Sequence, residues 1–102
     1  MDFIIIYTLA PRKGAAKKIV RRLLSQKLIA CANIFPVDSE YLWEGAVAKA
    51  REYAMILKTR GDKFEAVKIE IKAMHPYNVP LIAKISAEAN SGYLVWFNKE
   101  LS

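Results

Sequence analysis

Cysteine and histidine each occur once in this sequence, as Cys31 and His75, and glycine and proline only four times apiece. One cysteine cannot close an internal disulfide, so the expected setting is the reducing cytoplasm. One histidine leaves no Ser-His-Asp or Cys-His pair at informative spacing, so an enzyme is the least expected class. The segment APRKGAA after the first apolar run has a lone glycine, Gly14, too few for a phosphate-cradling loop. A closed transition-metal site needs about three or four ligands, which one Cys, one His and scattered carboxylates do not assemble alone. The apolar run Phe3–Ala10 is too short to span a bilayer, and it follows Asp2 where a signal peptide carries positive charge; neither a span nor a leader is expected. Repeats and low-complexity segments are absent.

Acids are also few. Ten Asp and Glu against sixteen Lys and Arg give a net charge of +6. The early cations are Arg12, Lys13, Lys17, Lys18, Arg21, Arg22 and Lys27, with no aromatic among them to stack on a base. That pattern reads as the solvated face of an amphipathic helix, and no nucleic-acid partner is expected. At 102 residues, 54% apolar and 25% charged, the chain is expected to form one ordered domain over residues 1–102. The apolar share is high for a small interior, and surplus apolar residues of this kind often end in subunit interfaces.

What the chain does contain is a long extended segment, LIACANIFPVDSEYLWEG, from Leu28 to Gly45. A typical strand runs about 5–6 residues, and Ile29–Trp43 is far longer. A strand that outgrows its sheet needs hydrogen-bond partners elsewhere, and another copy of the chain is the natural source. Pro36 removes one ladder donor, so an edge position or a bulge is expected there.

Around it, Phe3–Leu9 reads as a central strand covered on both faces. Lys13–Lys27 carries Ala16, Ile19, Val20, Leu23 and Leu24 at helical spacing. Glu44-Gly45 is a turn. Val47–Thr59 is alanine-rich, which favours helix, yet Tyr53, Met55 and Leu57 alternate with Glu52, Ala54, Ile56 and Lys58, which favours strand. Strand is expected. A second helix starts at Gly61-Asp62 with Asp62 as cap, and ends at His75-Pro76. Leu81–Glu88 is a last strand, and Asn90-Ser91 caps a short final helix. The order β-α-β-β-α-β plus a C-terminal helix predicts an α+β, ferredoxin-like sandwich whose long hairpin strands pair between subunits.

Separated motifs support that reading: LIACANI (Leu28–Ile34), YLWEG (Tyr41–Gly45), Glu52, LKT (Leu57–Thr59), HPYNVP (His75–Pro80) and YLVW (Tyr93–Trp96). Together they resemble the CutA family of divalent-cation tolerance proteins, from Ile4 to Trp96. The resemblance implies a homotrimer and a link to divalent metals, copper above all. It also implies an architecture like that of the PII signalling proteins, which bind ligands in clefts between subunits. The expected function is thus a homotrimeric cytoplasmic protein that binds copper or another divalent cation weakly between subunits. The alternative is a PII-like module for a small ligand or protein partner, without metal function. His75 and Cys31 are the candidate metal ligands; for Cys31 the plainer reading is a small buried residue, and for His75 a helix-end group satisfying the last carbonyls. Glu52, Lys58, Thr59 and Tyr77 are the candidate cleft residues near the HPY turn. Tyr41, Trp43 and Trp96 are expected at the trimer interface. Some members carry a cysteine where this chain has Tyr7, and a His-His pair where it has Met74-His75; both differences remove copper(II) ligands. Asn78 stands where a Glu or Gln is frequent.

Overall fold

The computed structural model describes residues 2–102. The chain runs β1 (Ile4–Ala10), α1 (Lys13–Ser25), β2 (Cys31–Trp43), β3 (Ala46–Thr59), a 3-10 turn (Gly61–Lys63), α2 (Phe64–Met74), β4 (Ile82–Ser86) and α3 (Ser91–Leu101). The four strands form one antiparallel sheet in the order β2-β3-β1-β4. Because β3 lies between β1 and β2, and β1 between β3 and β4, both helical crossovers are split βαβ units, the ferredoxin-like arrangement expected.

The register assigns each residue to a face. Ile4, Ile6, Thr8 and Ala10 lie across from Thr59, Leu57, Met55 and Tyr53. The apolar side chains among them meet Ala16, Ile19, Val20 and Leu23 of α1 and Val67 and Ile71 of α2 in the main core. Period two on the strands and period 3.6 on the helices therefore converge on one apolar layer. The opposite face carries Ile5, Tyr7 and Leu9 across from Lys58, Ile56 and Ala54. One end of it is roofed by α3, whose Leu94, Phe97 and Leu101 pack with Phe3, Ile5 and Ala30; toward the other end Glu52 and Ala54 are buried, with Tyr77 bonded to Glu52. The expectation that β1 is covered on both faces thus holds fully for the helix face alone; Ile5, Tyr7 and Leu9 stay half-buried.

Two helix ends differ from expectation for identifiable reasons. Helix α1 stops at Ser25, not Lys27. Lys27 takes a left-handed φ of 55°, and the N–H groups of Leu28 and Lys27 donate to the carbonyls of Leu23 and Leu24 at 3.0 Å each. That is a Schellman closure with lysine at the position glycine usually fills. Lys27→Gly should therefore raise stability by about 0.5–1 kcal/mol in urea unfolding, because only glycine occupies that region without a Cβ penalty. At the start of α2, Asp62 makes no cap; it binds Arg60 instead. The Gly61 N–H donates to Asp2 Oδ2 at 2.7 Å, across 59 residues.

Strand β2 is one of the two edge strands, and its register with β3 is unbroken from Cys31↔Lys58 to Trp43↔Ala46, so Pro36 sits at the edge without a bulge. Glu44 (φ 50°) and Gly45 (φ 82°) close the hairpin, the two positive φ values of a type I′ turn. Strand β1 reaches β3 only as far as Ala10↔Tyr53. Beyond it, Val37–Trp43 and Ala46–Glu52 continue as a two-stranded arm, about 23 Å long at roughly 3.3 Å per residue. The arm stretches the molecule to 46 × 24 × 21 Å with a radius of gyration of 14.4 Å, against about 13 Å for a compact chain of this length.

Candidate functional site

The predicted site residues fall into two groups at opposite ends of the sheet. Glu52 and Lys58 do share a face of β3, but they lie six residue steps apart along the strand, roughly 20 Å. The single cleft expected to hold Glu52, Lys58, Thr59 and Tyr77 is therefore not formed within one chain.

At the end under α3, Cys31 lies directly across from Lys58, whose Nζ approaches Sγ at 3.8 Å. The thiol is half-buried. Tyr93 stands beside it; burial first, and then the charge and hydrogen bonding of the neighbouring Cys31, push the Tyr93 phenol up. Thr59 is not open to a ligand. It is fully buried and its Oγ1–H donates to the Leu28 carbonyl at 2.6 Å, fastening the α1–β2 connection to β3 beside the Ala30 N–H bond to the Lys58 carbonyl.

At the other end, where the arm leaves the sheet, the turn after α2 folds back on β1 and β3. His75 Nε2 lies 2.6 Å from the Leu9 carbonyl, and Nδ1 lies 3.0 Å from the Tyr77 N–H. A carbonyl only accepts and an amide N–H only donates, so Nε2 carries the proton and Nδ1 accepts. Leu9 lies past the last residue that β4 pairs with, and the imidazole takes the place of the missing strand partner. The side chain thus reaches a distant carbonyl rather than the last carbonyls of α2.

That bond pair presents Tyr77, whose ring lies 5.0 Å from the His75 ring and whose O–H donates to Glu52 Oε2 at 2.7 Å. Glu52 is only 8% exposed, whereas Tyr77 keeps 37%. Burial of its hydroxyl and the bond to Glu52 push the Tyr77 phenol up to about 12, with Tyr41 adding to the shift and Arg12 opposing it. A phenol raised in the folded state stabilises the fold below pH 10 and loses that contribution as pH climbs toward 12. Absorbance titration at 295 nm should show a tyrosine ionising near pH 12, and Tyr77→Phe should abolish that step.

The metal expectation can be tested on these donors. Both ring nitrogens of His75 are engaged, and Cys31 sits at the far end of the sheet. Among the described residues no three His, Cys, Asp or Glu side chains are grouped to hold an ion. The donors of a single chain do not fit copper. Tyr41, Trp43 and Trp96, expected at an interface, are all exposed on this chain. Sequence reasoning did not anticipate the role of the Leu9 carbonyl, a backbone group that no residue pattern marks.

Comparison with known proteins agrees with this architecture. The family described as CutA1 divalent ion tolerance protein matches residues 4–100. The divalent-cation tolerance protein CutA of Archaeoglobus fulgidus is 46% identical over 95 residues, covering 92% of this chain and 93% of that one. Its counterpart from Pyrococcus horikoshii is 44% identical over 98 residues, covering 95% and 96%. A solved structure of the A. fulgidus protein superposes with a TM-score of 0.94 at 44% identity, over 98% of this chain and 99% of that one. The same comparisons overturn the cytoplasmic expectation. The solved A. fulgidus protein is named a periplasmic divalent cation tolerance protein, and relatives from rice and Arabidopsis thaliana are named chloroplastic. The chain spans about half the length of those two plant proteins, 54% and 52%. A lone cysteine needs no partner in either redox setting, which is why it was a poor guide to compartment.

Proposed function

The chain belongs to the CutA1 divalent ion tolerance family, and from that membership we propose that it works as a non-catalytic homotrimeric binding module. Copies join through the β2–β3 arm, and the Glu52–Tyr77–His75 cluster at the arm's base forms one wall of a cleft between them. The observation that carries the reading is the arm. A free two-stranded ribbon is marginally stable in water, yet this one exposes 77% of Leu42 and 65% of Trp43 at its tip. Docked against neighbours, the same residues gain burial and the β2 edge gains partners. Three copies is the number implied by the family resemblance.

Small-ligand or partner binding, rather than a copper site within one chain, is the reading the geometry favours. Any divalent cation is then held weakly and between copies, by donors that more than one chain supplies. Light scattering on the eluting protein tests the assembly. A mass three times the 11.6 kDa of one chain supports it, and a folded species of 11.6 kDa removes it.

A further inference from the structure

Glu52 has a feature that the assembly alone does not explain. The residue is only 8% exposed on a single chain, the hydrogen bond its carboxylate accepts comes from the neutral hydroxyl of Tyr77, and no Lys or Arg among the described residues forms an ion pair with it. Burying an anion without a compensating positive charge is costly. Arg12 acts on Tyr77 from a distance but faces a separate hollow with Gly14, Ala15, Lys18, Met74 and Pro76. The site is short of one cation and one N–H donor.

Resting on the cleft reading above, we propose that Glu52 and Tyr77 receive the N–H-bearing cationic head of a small organic molecule, an ammonium or a guanidinium. The carboxylate takes its charge and its hydrogen bond. The rings of Tyr77 and His75, 5.0 Å apart, supply aromatic faces beside it, and a cation over such faces is attracted further. A bare metal ion fits less well: one carboxylate and one protonated phenol offer it too few hard oxygens. The Tyr77 hydroxyl occupies one oxygen of Glu52 and leaves the other for the ligand. His75 sets the height of the Tyr77 backbone through the Nδ1 bond, so the imidazole is a positioning residue for the acceptor pair.

The test is a titration of the full-length assembled protein with methylguanidinium and propylammonium, followed by amide NMR, with tetramethylammonium as a control lacking N–H groups. Saturable shifts at Glu52, His75 and Tyr77 with the first two probes, and a weak response to the third, are expected. Glu52→Gln keeps shape and removes charge, and should weaken binding about ten-fold or more; Tyr77→Phe should weaken it less. No saturable response in the assembled protein, or an unchanged response in Glu52→Gln, overturns the proposal. So does dissociation of Glu52→Gln into single chains, which assigns the carboxylate to a cation of a neighbouring copy. A single-chain mass for the unmodified protein with saturable shifts overturns the assembly and leaves the cation site standing.

Discussion

Phe97→Ala is expected to lower the unfolding free energy by about 3–5 kcal/mol, the range for deleting a buried phenylalanine. Phe97 is fully buried and meets Phe3 edge-on at 5.1 Å and Tyr93 in a stacked arrangement at 6.2 Å. These rings, with Leu94 and Leu101, are what fix α3 over Ile5 and Ala30. Because this cluster is separate from the helix-face core, its loss should release α3 before the rest of the sheet. Hydrogen exchange should show it: protection falls first in Ser91–Leu101 and at Phe3, while Ile6 and Leu57 keep theirs. Lys17→Ala, on the exposed side of α1, should change stability by no more than about 0.5 kcal/mol. Equal protection loss across both clusters would show that α3 is not a separate unit.

Why some of this was legible and some was not follows from the range of the interactions. The β3 stretch AVAKAREYAM is rich in a helix former, yet alternation decided it. Ala46 and Ala48 sit across from Trp43 and Tyr41, so the alanines are there to face large rings, and small opposite large is a packing pattern that helix propensity does not describe. The order of elements, the edge position of Pro36 and the over-long hairpin were readable because each depends on neighbours in sequence. The Lys27 closure was hidden because glycine is the usual signal for it and lysine gives none. The His75 site was hidden more deeply. Its two bonds join a ring to a backbone carbonyl 66 residues away and to an amide two residues on, and neither partner is marked by side-chain type. Grouping Cys31 and His75 as ligands followed from their chemistry, but the sheet register places them at opposite ends, and register is set by the whole fold. The family motifs were legible as a set; the chemistry of each residue in them was not.

The second large effect concerns the arm. Leu42→Asp and Trp43→Asp should each convert the assembly into single chains at micromolar concentration while leaving the fold of each chain intact. Both side chains stand mostly in water on one chain, so in that state the substitutions break only cross-strand contacts with Val47 and Ala46 and should cost no more than about 1 kcal/mol. In the assembly the balance differs. Fully burying a large apolar side chain contributes roughly 1.5–3 kcal/mol, the substitution removes that at every symmetric contact, and it also leaves a carboxylate to desolvate at each. Several such terms shift a dissociation constant by orders of magnitude. The measured mass should fall to that of one chain, and the melting temperature of the unmodified protein should depend on concentration while that of the variants should not. Gly45→Val attacks the same structure through the turn, since a β-branched residue is strained at φ 82°, and it should weaken assembly while keeping Leu42 and Trp43 in place. If the Asp variants keep the full mass, the arm is not the joint between copies, and the cleft at its base loses its second wall. If they dissociate and the Glu52 site still answers methylguanidinium, recognition belongs to the single chain and assembly serves only to hold the arm.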